Sequence, residues 1–104
     1  DTIIINSKKK DIIINIWDTK KTDGDEVSIL INDQLFLEKY KVLSSKKILS
    51  AKLNKGDNNI QITATDVGEI PPNTIGIEIL IDNTIFPFST NLNLNESAVI
   101  KIRQ

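Results

Sequence analysis

The chain has 104 residues, 13 Lys and Arg against 14 Asp and Glu, a net charge of −1, and no His, Cys or Met. That length fits one domain spanning 1–104, and a domain of this size buries roughly two thirds of the surface its unfolded chain exposes. Balanced charge without a basic stripe argues against a nucleic-acid partner, and the missing imidazole and thiol remove the commonest general base, nucleophile and zinc ligands, so no enzyme is expected.

The chain opens on Asp1 with no charged and apolar leader behind it, which reads as mature or excised protein. No apolar run is long enough for a transmembrane helix. β-Branched residues dominate, and turn signals recur at short intervals, so the pattern predicts strands throughout. Residues 2–5 (TIII) predict an edge strand, and Lys8, Lys9 and Lys10 beyond it suit a solvated loop. Residues 11–17 place Ile12, Ile14 and Ile16 on one face and Ile13, Asn15 and Trp17 on the other, as a central strand would. Residues 26–32 repeat that pattern with Val27, Ile29 and Ile31 inward, and Asn32 and Asp33 turn the chain into a partner strand at 34–37.

Residues 38–45 read as loop with strand character, and 47–53 as a strand with Leu49, Ala51 and Leu53 on one face. The turn NKGDN then leads into a strand at 59–64, with Gly56 supplying positive φ. Residues 65–74 (TDVGEIPPNT) are expected to leave the sheet, because Pro71 and Pro72 cannot donate to a ladder. The run IGIEILI at 75–81 is the clearest strand, Asp82 and Asn83 turn it back, and Pro87 marks the strand at 85–89 as an edge. Leu92 and Leu94 alternate with asparagines, and 98–103 closes the chain with Ile100 and Ile102 inward. The expected fold is therefore all-β, an immunoglobulin-like or jelly-roll antiparallel sandwich of about seven to nine strands.

Three aspartates, Asp18, Asp23 and Asp25, fall in one turn region between two core strands, with Gly24 permitting a sharp backbone. Two readings fit: carboxylates converging on calcium, or a turn in which they bond nearby amides. Trp17, the lone tryptophan, either fills the core or stacks on a sugar ring, and its isoleucine neighbours favour the core. Tyr40 is the other aromatic that a glycan could use, while Phe86 and Phe88 share a face that reads as core or as a surface under a partner. A Pro71–Pro72 peptide could be cis and would stiffen its loop, with Asn73 and Thr74 bonding local backbone. Open strands at 2–5 or 85–89 could take up a partner's strand.

Two strings, W-D-x4-D-G-D-x-V-x-I-x-I-N from Trp17 and G-x-N-x-I-x-I-x-A-x-D-x-G-x-I-P-P-N-T from Gly56, resemble a family of exported β-sandwich domains of Bacteroidetes-type bacteria. The resemblance runs from Trp17 to about Ile81 and rests mainly on turn formers. It departs at Asp33, where Gly is the commoner residue, and at Asp66, where Asn is frequent; the added carboxylate at Asp66 suggests a second polar cluster with Glu69. It implies an exported location, in the periplasm, on the outer-membrane surface or outside the cell, and a sandwich fold, without a shared activity. The expected role is thus a non-enzymatic module in cell-surface assembly or adhesion through a protein partner. A carbohydrate-binding module with calcium as a candidate stabiliser is the alternative, using Trp17 or Tyr40 with the polar loops, and Asp66, Glu69 and Asn73 complete the candidate binding residues.

Overall fold

The computed structural model describes residues 2–19, 24–69 and 71–104. These form nine strands: β1 (Thr2–Asn6), β2 (Asp11–Asp18), β3 (Asp25–Ile31), β4 (Gln34–Lys41), β5 (Lys47–Lys52), β6 (Asp57–Val67), β7 (Asn73–Ile81), β8 (Thr84–Leu92) and β9 (Ser97–Arg103). Two sheets result, one ordered β1-β9-β6-β3-β4 and the other β5-β2-β7-β8, and they pack as a β-sandwich. No helix among the described residues is long and apolar enough to cross a membrane.

Period-two patterning decides what goes inside. Ile12, Ile14 and Ile16 of β2, Val27, Ile29 and Ile31 of β3, Ile60 and Ile62 of β6, Ile75, Ile77, Ile79 and Ile81 of β7, and Ile100 and Ile102 of β9 meet in one core between the sheets. β-Branched side chains suit such a pleated interface because little χ1 freedom is lost there. Phe86 and Phe88 lean against this core from the edge strand β8. Two hairpins point to one end of the sandwich, β3 to β4 through Asn32 and Asp33 and β7 to β8 through Asp82 and Asn83. All four of these residues have positive φ, as a two-residue type I′ connection requires.

Several elements run further than their patterns suggest. The segment at 38–41 is strand, completing β4; β6 continues through Thr65 to Val67; and β7 begins at Asn73. Leu94 lies beyond β8, exposed in a turn that Asn95 closes with positive φ. The sandwich is not wholly antiparallel, because β1 runs parallel to β9. Its short crossing at 7–10 carries the chain from one sheet to the other, and Ser7 N donates to Arg103 O at 2.9 Å.

The second half of the chain repeats the connectivity of the first with the sheets exchanged. β2 crosses to the hairpin β3–β4 and returns as β5 beside β2; β6 crosses to the hairpin β7–β8 and returns as β9 beside β6. Register follows as well. Asp11 faces Lys52 and Ile14 faces Leu49 in one half, and Asp57 faces Arg103 and Ile60 faces Ile100 in the other. Even the closing hydrogen bonds correspond: Leu53 N donates to Lys10 O at 2.7 Å, and Gln104 N to Gly56 O at 3.0 Å.

Candidate functional site

The end of the sandwich opposite the hairpins collects the polar residues singled out in the sequence. β2 ends there at Asp18 and β3 begins at Asp25, and both side chains are buried, at 4% and 1% exposed. The crossing after β4 locks the two strands together: Val42 N donates to Asp25 O at 2.9 Å, and Asp18 N to Leu43 O at 2.7 Å. Asp25 Oδ2 accepts from Thr74 N, tying the first sheet to β7 of the second. Asn73, fully buried, donates through Nδ2 to Glu26 O at 3.1 Å and Asp66 O at 2.9 Å.

These bonds follow from a register shift. Glu26 faces Asp66, but Val27 faces Ala64, so Thr65 is an extra residue that bulges β6. A bulge leaves ladder groups without strand partners, and Asn73 Nδ2 takes the two carbonyls beside this one. Outside the bulge, Thr65 Oγ1 donates to Glu26 Oε1 at 2.9 Å.

Asp66 Oδ1 accepts from Gly68 N at 2.9 Å, the geometry of a local turn, while Glu69 is exposed. The Pro71–Pro72 peptide is cis. Asp23 lies outside the described residues. Among the described residues, no group of three or more His, Cys, Asp or Glu stands close enough to hold a metal ion. Asp25 Oδ2 is engaged by the Thr74 amide of the other sheet and Asp66 Oδ1 by the Gly68 amide of its own turn, so the melting temperature should be equal in calcium and in chelator. A rise in calcium that Asp25→Ala abolishes would instead place a cation at this corner.

Trp17 departs from the expected core position. It alternates with Ile16 and Asp18 on β2, and this puts it on the outer face of the β5-β2-β7-β8 sheet, opposite Gly76 of β7. A Cβ at residue 76 would stand 2.4 Å from the indole, so the ring rests on the glycine backbone. Lys46 Nζ stands 4.8 Å from the ring centroid and pairs with Glu78 Oε1 at 2.9 Å. Asn15 Nδ2 also reaches Glu78 Oε1, at 3.4 Å. The Lys46 ammonium, and after it the Asn15 amide, hold the Glu78 carboxyl below its ordinary range. Tyr40 is half-buried against the core, with Lys47 Nζ 5.6 Å from its ring.

Sequence reasoning missed Gly76, Lys46 and Glu78. Only Gly76 left a trace, as a small residue inside an otherwise β-branched strand, the mark of a close approach. Asn58, the asparagine of the G-x-N string, is buried at the hairpin end. Asn58 Oδ1 accepts from Asn54 N at 2.7 Å and Asn32 Nδ2 at 2.9 Å, and its own amide donates to Asn54 O at 2.8 Å. Comparison of the chain with family models, curated proteins and solved structures returns no match.

Proposed function

We propose that this chain is a non-enzymatic module of an exported bacterial protein that acts in cell-surface assembly or adhesion through protein contacts. What supports the reading is apolar surface gathered at strand edges and on one sheet face. Ile13 of β2, Leu80 of β7 and Ile85 of β8 lie side by side across the outer face of the second sheet. With Phe36 of β4 they line a shallow groove of about 900 Å³ at the hairpin end. Contiguous apolar surface of this kind marks contact sites more often than chance. The glycan alternative is weaker on Trp17, since a sugar stacking there would have to displace Lys46 from the ring.

The test is site-specific photo-crosslinking in the cells that make the protein, with the photoreactive residue placed in turn at Ile13, Ile48, Ile85 and, as a polar control, Asn59. Discrete adducts at apolar positions and none at Asn59 are expected. Uniformly absent adducts, together with Trp17 fluorescence that responds to a polysaccharide, would overturn the reading in favour of the glycan alternative.

A further inference from the structure

We infer that the outer edge of β5 is a docking site for an extended peptide strand that runs parallel to β5, carries apolar residues at alternate positions and is flanked by carboxylates. This rests on the protein-contact reading and names its location. The connectivity repeat makes β5 the counterpart of β9, with Leu49 standing for Ile100, Ala51 for Ile102 and Lys52 for Arg103. On β9 that outer edge is already occupied, by β1 in parallel register from Thr2 beside Val99 to Asn6 beside Arg103. On β5 no strand among the described residues takes the equivalent place.

The two edges present the same groups. Leu53 N donates to Lys10 O, and the alternation of an antiparallel ladder then turns the backbone of Leu49 and Ala51 toward β2 and that of Ile48, Ser50 and Lys52 outward. On β9 the same alternation turns Arg103 outward, and its carbonyl receives Ser7 N. The edge of β5 thus offers an unused row of donors and acceptors in the phase that β1 reads on β9.

Burial differs between the edges in the direction a missing strand predicts. Beside β1, Ile100 and Ile102 are 1% and 0% exposed. Beside the bare edge, Leu49 and Ala51 are only half-buried, as are Leu37 and Tyr40 across from them on β4. Ile48 on the outer face is 66% exposed. An occupant with β-branched residues at alternate positions would cover Leu49 and Ala51 as β1 covers its own neighbours.

Two of the other three edges, β4 and β8, are guarded. β4 carries register shifts that leave extra residues opposite β3, one of them in the segment where Lys39 has positive φ, and a twisted, bulged edge pairs poorly. β8 has Pro87 at its middle. β5 has a continuous register from Lys47 to Lys52 and no bulge or proline. Lys47, Lys52 and Lys55 flank it without an acidic residue between them in sequence, while Lys46 is paired with Glu78. They oppose self-association of two β5 edges and favour an acidic partner.

The experiment is a titration of the isotopically labelled full chain with the synthetic peptide DTIIINS, the sequence of residues 1–7, followed by amide shifts and hydrogen exchange. The expected result is shifts and added protection at Ile48, Ser50 and Lys52. A nitroxide on the peptide N-terminus should broaden the Lys47 end of β5 rather than the Lys52 end. Ser50→Pro removes an outward-facing N–H without touching the ladder to β2, so it should weaken binding at least tenfold while unfolding as wild type does. If that variant does not fold, a peptide with both inward isoleucines replaced by asparagine decides, and equal binding by it overturns the proposal. So does absence of any shift at β5, or shifts confined to Val99, Lys101 and Arg103, which would mean exchange with β1. Crosslinks at Ile13 and Ile85 that persist while β5 stays silent would overturn this inference alone and leave the protein-contact reading standing.

Discussion

Gly76 and Glu78 set how Trp17 sits, each by a different force. The glycine is required by space, since a methyl at that position meets the indole at 2.4 Å and Thr19 at 3.0 Å. Gly76→Ala should therefore push the ring off the sheet and destabilise the fold by about 1–3 kcal/mol, the usual cost of overpacking. A changed Trp17 emission with a lowered melting temperature would show it, and unchanged emission would refute it. Glu78 acts through charge. Its carboxyl is held below the usual range in the folded chain by Lys46 first and Asn15 second. A lowered folded value means that the stabilisation is complete above the ordinary glutamate pKa and is lost as the pH falls through the lowered value. The melting-temperature gap between wild type and Glu78→Gln should be widest above the ordinary glutamate range, close as the pH falls through the lowered folded value, and shrink with salt. A gap independent of pH would exclude the ion pair as its source. Both side chains are partly exposed, so the gap is expected to be small.

Among the elements, β6 depends most on a residue outside its own sheet. Its bulge at Thr65 is closed by Asn73, which carries donors from β7 to the carbonyls of Glu26 and Asp66. Asn73→Ala leaves those part-buried carbonyls without their donors and should cost roughly 1–3 kcal/mol, while Asn73→Asp, which replaces donors by acceptors, should cost more. Denaturant melts of the two variants check this, and a loss under about 1 kcal/mol for both would mean that water replaces the amide. The strand interiors were legible in the sequence, because Ile12, Ile14 and Ile16, or Ile75, Ile77 and Ile79, can satisfy a period of two only by facing one core. Strand ends were less so. Thr65, Asp66 and Val67 read as loop because nothing local announces a bulge repaired by Asn73, and the Glu26 to Asp66 pairing joins residues separated in sequence by β4 and β5. Trp17 was read as core by its isoleucine neighbours, although its own parity with Ile13 and Asn15 placed it on the outer face.

At the scale of the whole molecule, the two halves are equivalent in connectivity but not independent. β3 pairs with β6 and β7 pairs with β2, so each half lends its hairpin to the other half's sheet. Fragments 1–53 and 54–104 should each be unfolded alone by circular dichroism and regain strand signal when mixed. Cooperative unfolding of either fragment alone would contradict this interdependence. The repeat itself was not legible, since the corresponding strands share little beyond inward isoleucines, a feature that any buried strand shows. Trp17 corresponds to Thr63 and Ser28 to Gly76, and no short-range rule links such pairs. The parallel β1 has a mechanical consequence. Because β1 and β9 run side by side in the same direction, tension between the start of β1 and the end of β9 slides one strand along the other. The hydrogen bonds of that ladder then carry the load together, where an antiparallel terminal pair pulled from its open end would give way one bond at a time. A chain stretched between those two strands would resist as one block along the strand direction.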